Sequence, residues 1–290
     1  MRHAEVTLDD KFLLTEGRVF ITGVQALLRV MIDQNRLDKA AGLKTAGFVS
    51  GYRGSPLGGL DQQAHRAAKF LQEAEVVFKE GLNEDLAATA VWGSQQANLF
   101  PGARYDGVTG MWYGKAPGVD RTGDAFKHAN FAGTWPKGGV LAVAGDDHTC
   151  KSSTLPSQSE YAFQDFEMPV LSPADVQEVL DYGLMGIAMS RFSGLWVGLI
   201  ALADTMDSGA TIDVSIGRHR PVSPANFQLP AGGLGIRLKD RPLEKERRLR
   251  NFKLPAALAF ARANRIDRVM LGAVRPRLGV VCQGQAYKDV

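Results

Sequence analysis

The apolar residues of this chain fall into short runs that alternate with longer stretches of helical periodicity. The run at 139–144 is almost wholly apolar and lies between glycine and acidic residues, which is typical of a strand buried on both faces. Similar patterns predict strands at 45–50, 75–78, 108–113, 169–171 and 195–201, after a short segment at 19–22. Helices are predicted from residue 23, at 55–74, from 84, at 123–131 and at 174–190. This alternation predicts an α/β fold with a mostly parallel sheet flanked by helices.

The pattern changes after residue 214. Prolines and paired glycines without a sustained period predict an extended connection at 218–238. A helix is predicted at 243–264, kinked or divided by Pro255. A further apolar run predicts a new strand at 278–284, close to the last residue. We therefore predict a domain over 1–214, a linker with a helix over 215–277, and the start of a truncated next domain over 278–290.

Composition and charge restrict the classes of function. The 290 residues carry a net charge of +3 and 45% hydrophobic residues, which predicts a sizeable core and no nucleic-acid partner. Cys150 and Cys282 stand far apart, so this chain is predicted to supply no zinc or iron–sulfur ligand set. The low cysteine content and the lack of an apolar signal sequence favour the cytoplasm. The most apolar stretch, 183–203, is interrupted by Arg191 and predicts a helix and a buried strand, not a membrane span.

The most informative helix start lies at Asn83 and Glu84. Asn83 suits the N-cap position, and Glu84 and Asp85 follow in the first turn, where the helix dipole favours negative charge. The small and apolar residues that follow predict a buried helix, with Glu84 at the junction of solvent and core. The two acids then either complement the dipole alone, or Glu84 is a carboxylate placed to share a proton with a ligand. The helix alone leaves both interpretations open.

Glycine-rich turns stand on both sides of this helix, at 50–61 and 110–121, and the sequence GVLAVAGDDH follows at 139–148. In this order the motifs resemble the N-terminal part of the 2-oxoacid:ferredoxin oxidoreductases. The resemblance is closest to the indolepyruvate ferredoxin oxidoreductase branch, in which several subunits are fused. It implies the thiamine diphosphate-binding fold, with this chain as the pyrimidine-binding domain. The implied reaction is the oxidative decarboxylation of a 2-oxo acid (indolepyruvate or another aryl or branched one) to acyl-CoA, with ferredoxin as the electron acceptor.

The resemblance also implies roles for residues of the first glycine turn and of the helix start. Glu84 matches the acid that activates thiamine diphosphate, and Asn83 and Tyr52 are expected to contact the cofactor. Ser55 matches a hydroxyl residue that holds the substrate carboxylate. It is also predicted to cap a helix that begins at Pro56, and capping alone remains equally open. Arg53 is a candidate carboxylate clamp, although an arginine in a loop is more often solvated.

After the strand at 108–113, the rest of the second glycine turn is predicted to form a loop at 115–122 beside the active site. Its candidate residues, without firm roles, are Lys115, Asp120, Arg121 and His128, the last being more often a satisfied histidine than a proton shuttle. The acids of 146–147 follow a predicted strand and lack the third glycine and the distant asparagine of the GDG motif, so no metal site is predicted here. Magnesium and iron–sulfur clusters are expected on parts of the enzyme outside this chain.

The implied partners are a diphosphate-binding domain, ferredoxin, coenzyme A, the 2-oxo acid and further copies of the chain. We expect the 290 residues alone neither to oxidise 2-oxo acids nor to hold the cofactor tightly. No G-x-G-x-x-G after a strand and no P-loop sequence occurs, which argues against dinucleotide and P-loop enzymes. The alternative to an enzyme is a thiamine-type domain kept only as a scaffold for subunit assembly.

Overall fold

The computed structural model describes residues 6–148 and 155–290. Within these residues, six strands form a parallel sheet in the order β3-β2-β4-β5-β7-β6, and a separate antiparallel pair joins β1 to β8. The strands are β1 (Arg18–Thr22), β2 (Thr45–Gly51), β3 (Val76–Phe78), β4 (Gly107–Lys115), β5 (Val140–Asp146), β6 (Val170–Leu171), β7 (Trp196–Leu202) and β8 (Gly209–Asp213). The predicted α/β class with a mostly parallel sheet is therefore confirmed.

Helices cover both faces of this sheet. They are α1 (Asp10–Leu13), α2 (Gly23–Ala40), α3 (Leu60–Arg66), α4 (Ala68–Glu73), α5 (Glu84–Gln96), α6 (Ala116–Arg121), α7 (Gly123–Ala132), α8 (Ser159–Asp165), α9 (Val176–Ser193), α10 (Ala203–Asp207), α11 (Pro242–Arg248), α12 (Leu254–Ala263) and α13 (Ala286–Asp289). Along β5, Leu141 and Val143 join the core with α2 and α9, whereas Ala142 and Ala144 join the core with α5 and α7. The alternation follows from the twofold period of a strand, and it explains why the whole run is apolar.

Two long helices, α2 and α9, pack directly against each other on one face. Thr22 caps α2, because its hydroxyl accepts from the Gln25 amide (3.3 Å) and the Gln25 side chain accepts from the Thr22 amide (3.1 Å). At the crossing, Gly183 lies so close to Val30 that a Cβ atom there would overlap with the valine side chain. The helix predicted from residue 23 is present.

Several predicted boundaries are wrong. The helix predicted to begin at Ser55 and Pro56 begins only at Leu60, and the preceding residues form turns with a cis Ser55–Pro56 peptide bond. The helix predicted at 174–190, with Ser172 and Pro173 as its start signal, begins at Val176, and Asp175 caps it because its Oδ1 accepts from the Glu178 amide at 2.9 Å. In both places a Ser-Pro pair resembles a helix start, but the turn residues after the proline delay the helix.

Two further differences concern the segments before and after the domain limit predicted at residues 277–278. The strand expected at 278–284 is not formed, since these residues are exposed and irregular up to α13. The residues before them are not simply a linker, because Leu249, Ala257 and Phe260 join the core beside α9. A π-helix at Leu249–Lys253 separates α11 from α12, with Pro255 in the first turn of α12. The domain limits themselves remain a prediction.

None of the helices formed by the described residues is long and apolar enough to cross a membrane.

Candidate active site

The predicted N-cap of the Glu84 helix is present. The Asn83 side chain accepts a hydrogen bond from the Leu86 amide at 2.9 Å, and the Trp112 indole donates to the Glu84 carbonyl at 3.1 Å. Trp112 is fully buried in β4, so this bond ties the first turn of α5 to the sheet. Glu84 is half-buried. The carboxylate therefore projects from a fixed backbone at the boundary between solvent and core.

The Glu84 side chain lies directly against the backbone of α6. A Cβ atom on Gly118 would stand 2.5 Å from Glu84 Cγ and 2.8 Å from Oε1, closer than van der Waals contact allows. Gly118 itself is buried and has no unusual backbone angle. Because glycine has no side chain, the Glu84 carboxylate can occupy the space beside residue 118.

This carboxylate stands at a point where the strand order of the sheet reverses. The chain leaves β2 to form β3 on one side and then crosses to β4 on the other side. In open α/β sheets, ligands bind in the crevice outside the carboxyl ends of the strands at such a point. The Gly51 carbonyl at the end of β2 accepts from the Gly81 amide at 2.8 Å, which brings the loop before α5 to this crevice.

The first glycine turn lies across the same strand ends. Tyr52 and Arg53 are exposed, and the Tyr52 amide donates to the Tyr113 carbonyl of β4 at 3.0 Å. Ser55 is half-buried but caps no helix, so the predicted capping role is wrong. A Cβ atom on Gly54 would be 2.9 Å from Lys115 Cβ, which shows how closely the turn lies on the end of β4.

The segment predicted as a loop at 115–122 is instead the helix α6. Lys115 occupies its N-cap position and is half-buried, whereas Asp120 is exposed. The Arg121 Nε donates to Asp85 Oδ2 at 3.0 Å, and this carboxylate raises the pKa of the Arg121 guanidinium. Arg121 is thereby held beside the first turn of α5.

His128 lies away from the other candidates. It is exposed, stacks on Trp92 with a ring separation of 6.4 Å, and stands 3.6 Å from Asp124. Trp92 is eight residues beyond Glu84, which corresponds to about 12 Å along a helix. The structure does not bring His128 to the Glu84 carboxylate.

Sequence reasoning missed a buried pair beneath the first glycine turn. The Tyr113 hydroxyl of β4 donates to Asp61 Oδ1 of α3, and both side chains are buried. Burial and this hydrogen bond raise the pKa of the Tyr113 hydroxyl, which keeps it protonated as a donor. One signal of this pair was present in the sequence. Asp61 is an acid that follows the apolar Leu60 and lies on the same face of α3 as Ala64, which is a position for a buried side chain.

The acids of 146–147 end β5, as predicted. Asp146 is fully buried and accepts from both the amide (2.8 Å) and the hydroxyl (2.5 Å) of Ser159. Burial raises the pKa of Asp146, against the lowering effect of these two hydrogen bonds. Asp146 thus holds the start of α8 and lines a cavity of about 310 Å³. In residues 6–148 and 155–290, no three His, Cys, Asp or Glu side chains stand together as a metal site.

No family model matches the chain. Among curated proteins, it is 24% identical to the indolepyruvate oxidoreductase subunit IorA of Methanothermobacter thermautotrophicus and 21% identical to that of Methanothermobacter marburgensis. Each alignment covers 98% of this chain and 42% of the relative, so the chain spans about two fifths of the length of these proteins.

A solved structure with a similar fold is the 2-oxoglutarate:ferredoxin oxidoreductase from Magnetococcus marinus with 2-oxoglutarate, coenzyme A and succinyl-CoA bound. The TM-score is 0.57 at 15% identity, over 84% of this chain and 46% of the solved one. This likeness concerns the thiamine diphosphate-binding fold. The resemblance predicted from the sequence is thereby confirmed: the chain resembles the N-terminal, alpha-like part of an indolepyruvate ferredoxin oxidoreductase.

Proposed function

We propose that this chain supplies the pyrimidine-binding half of a thiamine diphosphate site in an enzyme that oxidatively decarboxylates a 2-oxo acid to acyl-CoA. The observation that carries the proposal is the Glu84 carboxylate, fixed at a capped helix start beside Gly118 and in the crevice of the sheet. The substrate would be indolepyruvate or another aryl or branched 2-oxo acid, and ferredoxin would accept the electrons. The relatives support this assignment over a scaffold without a catalytic group.

The residues present fit the pyrimidine half of the cofactor. The space beside Gly118 keeps the Glu84 carboxylate at the crevice, and Asn83 fixes the backbone from which it projects. When bound, thiamine diphosphate supplies the nucleophilic carbon and accepts the electron pair released on decarboxylation. Glu84 would hold the proton that is shared with the pyrimidine ring nitrogen, and Tyr52, exposed at the end of β2, would bound the ring.

The substrate carboxylate would meet the first glycine turn. Ser55 offers a hydroxyl, and Arg53 and Lys115 add positive charge at the ends of β2 and β4. Arg121 is held beside the first turn of α5 by Asp85, and it receives no role in substrate binding in this proposal. Asp120 and His128 receive no role in this proposal, since the negative charge of Asp120 would repel a substrate carboxylate and His128 is distant from Glu84.

Replacing Ser55 by alanine tests the substrate role without the complication of a lost cap. We expect the Michaelis constant for the 2-oxo acid to rise about tenfold, which corresponds to a lost hydrogen bond to a charged group of roughly 1.5 kcal/mol. The free energy of unfolding should change by less than about 0.5 kcal/mol, because Ser55 caps no helix. Steady-state kinetics of the assembled enzyme measure the Michaelis constant, and urea denaturation of the chain measures the free energy of unfolding. Ser55→Thr retains the hydroxyl and should keep the Michaelis constant low; equal constants for all three proteins would contradict the role.

The face beside Glu84 has the character of a partner surface. Leu82 is 85% exposed, Leu86 51% and Phe100 57%. Positions 86, 90 and 93 of α5 are all exposed and recur at helical spacing on one face. The helix predicted to be buried therefore leaves one apolar face uncovered. We propose that a diphosphate-binding domain, from the same or another chain, covers this face and brings the magnesium and the diphosphate anchor. Ferredoxin, coenzyme A and further copies of this chain would bind to the complete assembly.

Calorimetric titration tests this division of the site. The chain alone, titrated with thiamine diphosphate and magnesium, should bind weakly or not at all, because Glu84 and an apolar wall contact only the pyrimidine half. Addition of the diphosphate-binding part should produce stoichiometric binding that Glu84→Gln weakens. Tight binding by the chain alone would show that the diphosphate site lies in this chain, and no binding by the assembly would contradict the proposed function.

A further inference from the structure

A second cavity lies at the end of the sheet opposite to Glu84. It has a volume of about 430 Å³ and is formed between α2, α9 and the residues that follow β8. Its floor lies near the amino ends of the strands, since Arg191 of α9 donates to the Gly138 carbonyl before β5 and to the Thr109 hydroxyl of β4. We call this cavity the α9 groove. None of its lining residues is among those described above around Glu84.

The walls of the α9 groove are mostly apolar. They include Leu37 of α2, Leu184, Met185 and Phe192 of α9, and Phe260 of α12. The Phe192 and Phe260 rings are 5.8 Å apart, which gives the groove an aromatic wall. The volume lies within the range of about 300–1,000 Å³ that is typical of small-molecule sites. Apolar walls of this size fit an aromatic molecule of one or two rings.

The charged groups that border the groove already neutralise one another. Asp38 accepts from Arg191 at 2.6 and 2.7 Å, and it also accepts from Gln34 and from the Thr45 hydroxyl. Beside His219, Asp181 accepts from both terminal nitrogens of Arg218 at 2.9 Å. A charged ligand would have to compete with these pairs and would bury its own charge. An uncharged ligand avoids both costs.

One buried polar atom of a residue that lines the groove makes no hydrogen bond. The His219 side chain is only 9% exposed, and its Nε2 makes no hydrogen bond. The Asp181 carboxylate is 3.7 Å away, beyond the length of a hydrogen bond. Burial, aided by the positive charge of Arg218, lowers the pKa of His219 to about 4. The imidazole is therefore neutral near pH 7. A buried polar atom without a partner is rare in folded proteins, and a bound ligand would satisfy it.

The wall opposite α9 is held in place. The extended chain that follows His219 passes over the groove, and Asn264 at the end of α12 binds both backbone groups of Val222, at 2.7 Å to the amide and 2.9 Å to the carbonyl. Pro221 and Ser223, on either side of Val222, line the groove. The cavity is thus bounded by fixed backbone on this side, which is a property of preformed binding sites.

We propose that the α9 groove binds an uncharged, mostly apolar aromatic molecule whose single polar group forms a hydrogen bond with His219 Nε2. A hydroxyl suits either tautomer of the imidazole, because it both donates and accepts. Ligand binding here would also hold the segment after β8 against the sheet domain, because the groove is formed by both.

The test uses 2-naphthol as a neutral probe and 2-naphthoate as its charged counterpart. Titration calorimetry of the full chain should show binding of 2-naphthol at least tenfold tighter than that of 2-naphthoate. His219→Phe should weaken 2-naphthol binding about tenfold, as expected from loss of one hydrogen bond. Ala188→Phe, which adds a large side chain at a half-buried lining position on α9, should abolish binding.

A matched control is His65→Phe, which replaces an exposed histidine outside the groove and should leave 2-naphthol binding unchanged. Circular dichroism of each variant establishes that the chain is folded, and Ala188→Phe tests the groove independently if His219→Phe does not fold. The proposal is overturned if 2-naphthol does not bind at millimolar concentration, if 2-naphthoate binds equally well, or if neither groove variant weakens binding.

Discussion

Replacing Glu84 by glutamine is expected to lower the turnover of the complete enzyme by about 10²- to 10⁴-fold, the usual contribution of a positioned proton-transfer group. The substitution keeps the shape of the side chain and so keeps the contact with Gly118, but the amide cannot exchange a proton with the pyrimidine ring. The Asn83 cap and the bond from Trp112 involve only backbone groups of α5, so the helix should form as before. The measurement is oxidation of a 2-oxo acid, with coenzyme A and an electron acceptor, by the assembled enzyme.

The chain supplies a matched control for this experiment. Asp85 is the next residue in the same helical turn, and its side chain is 39% exposed and pairs with Arg121 at the surface. Asp85→Asn removes one negative charge from the same helix start, so both variants lose the same favourable interaction with the helix dipole. We expect Asp85→Asn to retain most of the activity. Equal activities of Glu84→Gln and the unmodified enzyme would exclude the catalytic role and favour the scaffold alternative.

The sequence predicted those parts of the fold that depend on local pattern. The apolar run of β5 and the cap at Asn83 are confirmed, because burial on both faces and a capped first turn each depend on neighbouring residues. The antiparallel pairing of β1 with β8 was missed, since about 190 residues separate Arg18 from Thr211. The start of α3 was placed wrongly, because Ser-Pro is equally compatible with a helix cap and with the turns that the chain forms.

The sequence predicted less of the candidate site than of the fold. Asn83 and Glu84 stood out because the capping residue and the acid are adjacent in the chain. The contact of Glu84 with Gly118 and the bond between Tyr113 and Asp61 join residues more than 30 positions apart. Only the folded sheet, with β2 beside β4, brings these pairs together. His128 was included for its residue type and its place in a motif, and the direction of α7 carries it away from Glu84.

Replacing Gly118 by alanine is expected to displace the Glu84 carboxylate without destabilising the fold. The added Cβ would stand 2.5 Å from Glu84 Cγ, and the flexible glutamate side chain, not the backbone, would move to relieve the overlap. A displacement of about 1 Å in a catalytic group can lower the rate by roughly 10²-fold. We therefore expect turnover to fall by about that factor. The free energy of unfolding should stay constant or rise by up to ~1 kcal/mol, because alanine favours a helix over glycine.

Thermal unfolding of the chain and steady-state kinetics of the enzyme assembled from it measure the two effects. Gly217→Ala is the control, because a Cβ atom there meets no other atom within 4 Å and the residue lies in a short 3₁₀ turn far along the chain from Glu84. It should leave turnover unchanged. Full activity of the Gly118→Ala enzyme would show that catalysis does not depend on the position of the Glu84 carboxylate against α6. A large loss of stability would show that the backbone had moved, and not the glutamate side chain. Loss of turnover in a stable protein is the result expected if Gly118 exists to leave room for Glu84.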